Sequence, residues 1–164
     1  QVRYDLIARA VRRLPCPVLA NGNVSSAAKA LRILEDTGAR GVMIGRGAIR
    51  NPWIFDQIRQ ALRGESARPP AGRDVLAYLE GLLEATRMPG MGERAHIQRV
   101  KKAATFVGLG IEPAGDFLHQ IRRVTTEADF HRVCRAFLDH DAPMPLDPFP
   151  LPLKETDVLS GPHA

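Results

Sequence analysis

The sequence predicts an α/β unit followed by an all-α unit, and three observations carry that reading. Two short apolar runs, residues 17–20 and 41–44, each stop at a glycine turn and lead into a helical pattern. A strand, a crossover helix and a second strand almost always form a right-handed parallel pair, so both turns fall at the carboxyl end of one sheet. From residue 73 to residue 139 the apolar spacing is helical throughout.

Residues 1–14 predict a helix, because Leu6, Ile7, Ala10, Val11 and Leu14 recur at helical spacing. Arg3, Arg9, Arg12 and Arg13 fall mostly on its other faces and read as a solvated outer surface. The first apolar run ends at Asn21-Gly22-Asn23. Ser25 and Ser26 then offer N-caps, and Ala27, Ala30, Leu31 and Leu34 make the buried stripe of the crossover helix. Gly38 suits the left-handed residue that ends it. The second run, Gly41-Val42-Met43-Ile44, reads as a parallel strand buried on both faces and stops at Gly45-Arg46-Gly47. Asn51 as N-cap and Pro52 in the first turn are expected to open the next helix, with Ile54, Phe55, Ile58 and Leu62 inward.

Residues 63–72 are polar, contain Pro69-Pro70 and read as a linker. Four helices are expected next. Val75, Leu76, Leu79, Leu82 and Leu83 mark the first, which Pro89-Gly90 stops. Ile97, Val100, Ala104 and Val107 mark the second, ended by Gly108 and Gly110. Pro113 opens the third, with Ala114, Phe117, Leu118 and Ile121 inward. Thr126 with Asp129 starts the fourth like a capping box, and its stripe is Phe130, Val133, Cys134 and Phe137. Four short amphipathic helices can bury a small common core. Residues 140–164 hold Pro143, Pro145, Pro148, Pro150, Pro152 and Pro162 and predict an irregular tail.

Backbone donors that converge beside helix N-termini can bind an anion, and glycine removes the Cβ that would block approach. Taken alone, the two turns fit either a phosphate site or plain strand-to-helix turn chemistry. In (β/α)8 barrels a phosphate site often lies on the loops after strands seven and eight, and this pair looks like those two strands.

Read together, Asn21-Gly22-Asn23, Gly41-Val42-Met43-Ile44-Gly45-Arg46-Gly47-Ala48 and Asn51-Pro52-Trp53-Ile54-Phe55 resemble the tRNA-dihydrouridine synthases. The resemblance implies that the chain holds the last two βα units of a TIM (β/α)8 barrel (residues 1–62), then a helical tRNA-binding domain (residues 73–139). It implies that Asn21, Gly22, Asn23, Gly45 and Arg46 hold the phosphate of FMN. It further implies that reduced FMN delivers hydride to a uracil ring in tRNA, that a cysteine supplies the proton, and that NADPH re-reduces the flavin. Two positions depart from the family pattern. Asn23 stands where Asp or Gly is usual, and Arg50 stands where a small residue, commonly Gly, is usual. A complete barrel needs roughly 200 residues or more. The 164-residue chain, which begins at Gln1, is therefore expected to be the carboxyl-terminal part of a longer enzyme.

No catalytic residue is assigned within the chain, because the resemblance does not cover the loop that carries the family's catalytic cysteine. Cys16 sits at a strand entrance, the wrong end of a barrel for catalysis, and Cys134 lies on an apolar stripe as inert core. His96, His119, His131, His140 and His163 lack ligand spacing, so no metal is expected. Between Arg87 and Arg123 there are seven Lys/Arg against three Asp/Glu. Arg94, Arg99, Lys101 and Lys102 on the second helix of the domain are expected to lie outward. They read either as a solvated face or as contacts to a phosphate backbone, and the resemblance favours tRNA.

A net charge of +5 is compatible with a polyanionic partner. No run of about 18 apolar residues is present, so no membrane span is expected. Two cysteines without a disulfide or metal pattern fit a reducing cytoplasm. Two alternatives remain open at this stage: another FMN-dependent barrel acting on a small molecule, and a non-catalytic RNA- or phosphate-binding fragment.

Overall fold

The computed structural model describes residues 2–111 and 114–146. The chain runs through α1 (Tyr4–Arg13), β1 (Leu19–Asn21), α2 (Ala27–Thr37), β2 (Gly41–Met43), α3 (Arg46–Arg50) and α4 (Ile54–Leu62). It continues through α5 (Gly72–Ala85), α6 (Glu93–Gly108), α7 (Ala114–Arg123) and α8 (Glu127–Leu138).

The strands pair in parallel, Leu19 with Gly41, Ala20 with Val42 and Asn21 with Met43. The crossover helix α2 begins where Ser26 Oγ accepts the Lys29 amide at 3.2 Å, which satisfies one of its orphan donors. It ends at Gly38, whose φ of +67° and N–H bond to Leu34 O close the last turn. Ala20, Ala27, Ala30, Ile33, Ile54 and Ile58 form the centre of a first apolar cluster between the strands, α2 and α4. The opposite sheet face is open in this chain, with Leu19 61% and Met43 58% exposed. The expectation of a second strand buried on both faces is thereby corrected: among the described residues, helices cover one face only.

The entry to α4 also differs from expectation. A five-residue helix, α3, follows β2 directly, and Asn51 closes it by donating its N–H to Gly47 O at 2.9 Å. Pro52 lacks the N–H that would continue α3, and a residue before proline is pushed out of the helical region. The chain therefore turns at Asn51–Trp53, and α4 starts at Ile54 rather than at Pro52. Ile54 and Ile58 face inward as expected, whereas Phe55 and Leu62 are exposed and buried Gln57 takes a place on the inner face. On α1 the outer members of the expected stripe, Leu6 and Leu14, are likewise exposed.

The second cluster is built by α5–α8. Val75, Leu79, Leu83, Ile97, Phe117 and Phe130 lie at its centre, each fully buried. Thr126 caps α8 by accepting the Asp129 amide at 3.2 Å. The first residues of the expected tail are irregular yet packed. Gly72 N–H donates to Ala142 O, Met144 N–H donates to Pro70 O, and Leu146 is fully buried. Arg73 reaches Asp139 and Asp141 across the same join. Residues 147–164, with the remaining prolines of that tail, lie outside the described residues.

Candidate phosphate site and basic helical face

β1 delivers Asn21 to the carboxyl edge of the sheet, and β2 delivers Gly45 to the same edge two residues past Met43. After Asn21 the backbone turns through Gly22 at φ +139° and Asn23 at φ +48°. Asn is among the few residues with a side chain that adopt the left-handed region readily. The Tyr4 hydroxyl donates to Gly22 O at 2.8 Å and ties this turn to α1. A Cβ at Gly22 would fall 2.6 Å from Val2 Cγ1, so the packing requires this glycine. At Gly47 a Cβ would collide with the Val24 carbonyl, which holds the two turns against each other.

Gly45 is different: a Cβ there would meet no atom within 4 Å. Its bare backbone faces a cavity of about 540 Å³ lined by Asn21, Gly22, Asn23, Val24 and Ser25 from one turn. Met43, Gly45, Arg46, Gly47 and Arg50 line it from the other, joined by Phe106 of α6 and by Leu109 just past its end. All five residues expected to hold a phosphate thus line one cavity. Arg46 is exposed and makes no hydrogen bond or ion pair to the described residues, so its charge is available to an anion. The first amides of a helix have no partner inside it, and those after Gly45 point out of α3 towards its start. An open glycine, a left-handed turn and a free arginine suit the small, multiply charged head of a phosphate monoester.

Arg50 was without a role in the sequence and has one in the fold. It is buried, and its guanidinium donates to Leu146 O at 3.1 Å and to Ser25 O at 3.4 Å. It therefore joins the first turn to the packed segment around Leu146. Spacing could not reveal this, because the partner carbonyl lies 96 residues away. Phe106 and Leu109 were missed for a related reason: they flank the apolar stripe of α6 without belonging to it.

The basic face needs one correction. Lys101 is buried, and its Nζ donates to Val124 O at 2.9 Å, just past the end of α7. Burial lowers its pKa. It lies four residues after Ile97 and three before Ala104, so helical geometry turns it inward with them. Arg94, Arg99 and Lys102 are exposed. Arg99 donates to Met88 Sδ, while Arg94 and Lys102 have no partner among the described residues. Neighbouring acids are already engaged. Glu80 contacts His131 and Arg135, Glu127 contacts Arg87 and His96, and Asp129 contacts Arg132. The charge left over on α6 is positive.

His96 is buried between Thr86 Oγ1 and Glu127 Oε1, 3.2 Å from each, and so binds α5, α6 and α8 together. Cys134 is buried with its pKa pushed up to about 12 by desolvation and by nearby Glu80, which leaves the thiol inert. Cys16 is exposed. Among the described residues no helix is long and apolar enough to cross a membrane, and no group of three or more His, Cys, Asp or Glu could hold a metal ion.

A cavity at the carboxyl ends of parallel strands, rimmed by glycine turns, defines a class: α/β proteins that take their ligands at that edge of the sheet. Comparison with known proteins narrows the class. A sequence model of dihydrouridine synthases (Dus) matches residues 1–141, and the chain belongs to that family. It is 45% identical over 83 residues to the tRNA-dihydrouridine synthase B of Xanthomonas axonopodis pv. citri, covering 50% of this chain and 25% of that protein. Against the tRNA-dihydrouridine synthase B of Pasteurella multocida it is 30% identical over 127 residues, 76% of this chain and 38% of that protein. A probable tRNA-dihydrouridine synthase of Helicobacter pylori is 49% identical over 59 residues, 36% of this chain and 18% of that protein. The chain thus spans well under half the length of these curated relatives.

Proposed function

We propose that the chain is the phosphate-gripping and RNA-facing part of a flavin-dependent tRNA-dihydrouridine synthase, which reduces uridine in tRNA to 5,6-dihydrouridine in the cytoplasm. In this reading residues 1–62 are the last two βα units of a TIM barrel, residues 63–72 a linker, and residues 73–139 a helical tRNA-binding domain. The observation that carries it is the meeting of both turns, with Gly45 open and Arg46 without a partner among the described residues, in one cavity of a chain that matches the Dus family.

FMN, when bound, supplies the hydride chemistry, with NADPH as its reductant. The chain's own residues do the rest of what is assigned here. Asn21, Gly22 and Asn23 on one side, and Gly45 and Arg46 on the other, hold the phosphate. Arg94, Arg99 and Lys102 meet the phosphates of tRNA. Lys101 is left out of this set because its ammonium is spent on Val124 O.

Gly45→Ala tests the cofactor assignment cleanly, since the added methyl meets no atom of the described residues within 4 Å. FMN affinity, read by quenching of flavin fluorescence, is expected to fall at least tenfold with the thermal midpoint unchanged. Equal affinity for variant and wild type would remove Gly45 from the site. Gly22→Val is a poorer probe, because its Cβ would also strike Val2.

A further inference from the structure

Two side chains of the helical cluster reach the cavity that the strand turns line, and nothing in the phosphate chemistry calls for them. They are Phe106 and Leu109, both half-buried. Neither takes part in the buried core of α5–α8, where Ala104 and Val107 of the same helix lie. Phe106 instead shares its helical face with Arg99 and Lys102, at spacings of seven and four residues.

Their position is fixed by packing rather than by chance approach. α6 packs along α3, the helix that follows the Gly45 turn. Just beyond α6, a Cβ on Gly110 would sit 2.6 Å from Leu146 Cα, so only a glycine allows the chain to pass there. Leu146 O in turn accepts Arg50 Nε from the end of α3. The C-terminal end of α6 is thereby held over the turns from two sides.

We infer that Phe106 and Leu109 form an apolar wall over the phosphate cavity, which selects a phosphate ester carrying a large planar or apolar body over free inorganic phosphate. The inference rests on reading that cavity as a phosphate site. A small dianion has no apolar surface to bury and gains nothing from an aromatic neighbour. A flavin mononucleotide does have such surface, and each part of it covered by Phe106 is removed from water. The wall also makes ligand retention depend on the seating of α6 on α3, so the helical cluster takes part in holding the cofactor.

The test uses the chain with Phe106→Ser and Phe106→Tyr, and two probes, FMN and inorganic phosphate, titrated separately. Phe106→Ser is expected to weaken FMN about tenfold, the scale of losing one covered aromatic ring. Inorganic phosphate is expected to change by less than about threefold, and Phe106→Tyr to retain FMN as the wild type does. If serine weakens both probes alike, Phe106 only supports the fold and the wall is refuted. If FMN binding is unmoved while wild type binds both probes, the wall is refuted and the phosphate site stands. If the wild type binds neither probe, the phosphate reading fails and the wall fails with it.

Discussion

Lys101 and Lys102 are adjacent, alike in type and opposite in role. Lys102 is solvated and has no partner among the described residues, whereas Lys101 gives its ammonium to the Val124 carbonyl beneath the surface. Lys102→Glu is therefore expected to leave the thermal midpoint within about 0.5 kcal/mol of stability, as surface changes usually do. It should weaken binding of a labelled tRNA and flatten the salt dependence by roughly one to two units of slope, since a phosphate contact is replaced by a repulsion. Lys101→Glu is expected to cost about 1–3 kcal/mol of stability, because a buried carbonyl loses its donor and faces a carboxylate. Thermal melts and tRNA titrations at several salt concentrations separate the two. A Lys102→Glu protein with wild-type affinity and slope would reduce the basic face to solvation. The position of Lys101 was legible in the spacing, four after Ile97 and three before Ala104; its charge argued the other way and misled.

At the scale of elements, legibility followed local signals. α2 and α8 each combine an apolar stripe with a capping side chain inside the same few residues, and both begin where Ser26 and Thr126 place them. α3 is five residues long, too short for a 3.6-residue repeat to declare itself, and the glycine turn that precedes it masks its start. Leu146 is buried within a proline-rich stretch that has no periodicity, because its place depends on Gly110 and Arg50 far away in sequence. The cavity shows the same division. Its turns could be read from Asn21-Gly22-Asn23 and Gly45-Arg46, whereas its α6 wall arises only from packing of distant elements. One inter-element join is titratable. Glu127, at the start of α8, accepts from Arg87 after α5 and contacts His96 of α6. The Arg87 bond, ahead of the His96 contact, holds its carboxyl below the ordinary range. The unfolded chain therefore takes up this proton first as pH falls. The stabilisation is fully present above the unfolded value of about 4.3 and is lost as pH drops through the lower folded one. Glu127→Gln is expected to be less stable than wild type near neutrality and to converge with it in acid. Thermal midpoints measured from pH 6 down to pH 3 give the comparison. Curves that stay parallel over that range would show that Glu127 is not linked to folding.

Over the whole molecule, stability is expected to be uneven, and the reason lies in side-chain volume. Half of the first cluster's buried residues are alanines: Ala20, Ala27, Ala30 and Ala39. The second cluster buries Phe117, Phe130, Leu79, Leu83, Ile97 and Ile121 completely. Burial contributes roughly 25 cal/mol per Å² of apolar surface, so aromatic and branched aliphatic side chains stabilise their cluster far more than methyl groups do. Backbone pairing points the same way. β1 and β2 have three residues each and, among the described residues, pair only with one another, which leaves an edge on both without a described partner and a face carrying exposed Leu19 and Met43. The helices satisfy their backbone groups internally, and α5–α8 are further joined by the His96 contacts and by Lys101 on Val124 O. Segments with little buried apolar area and solvent-facing backbone open at lower free energy than a packed core. Hydrogen exchange of the chain in solution is thus expected to protect Leu79, Val100 and Val133 more strongly than Ala20 and Val42, by at least tenfold. FMN, if it occupies the cavity, should raise protection at β1, β2 and the last turn of α6 together, because its ligand groups come from both clusters. Protection of the strand amides equal to that of the α5–α8 core without ligand would contradict this account. It would mean that the open sheet face is covered in solution by something the two clusters do not themselves provide.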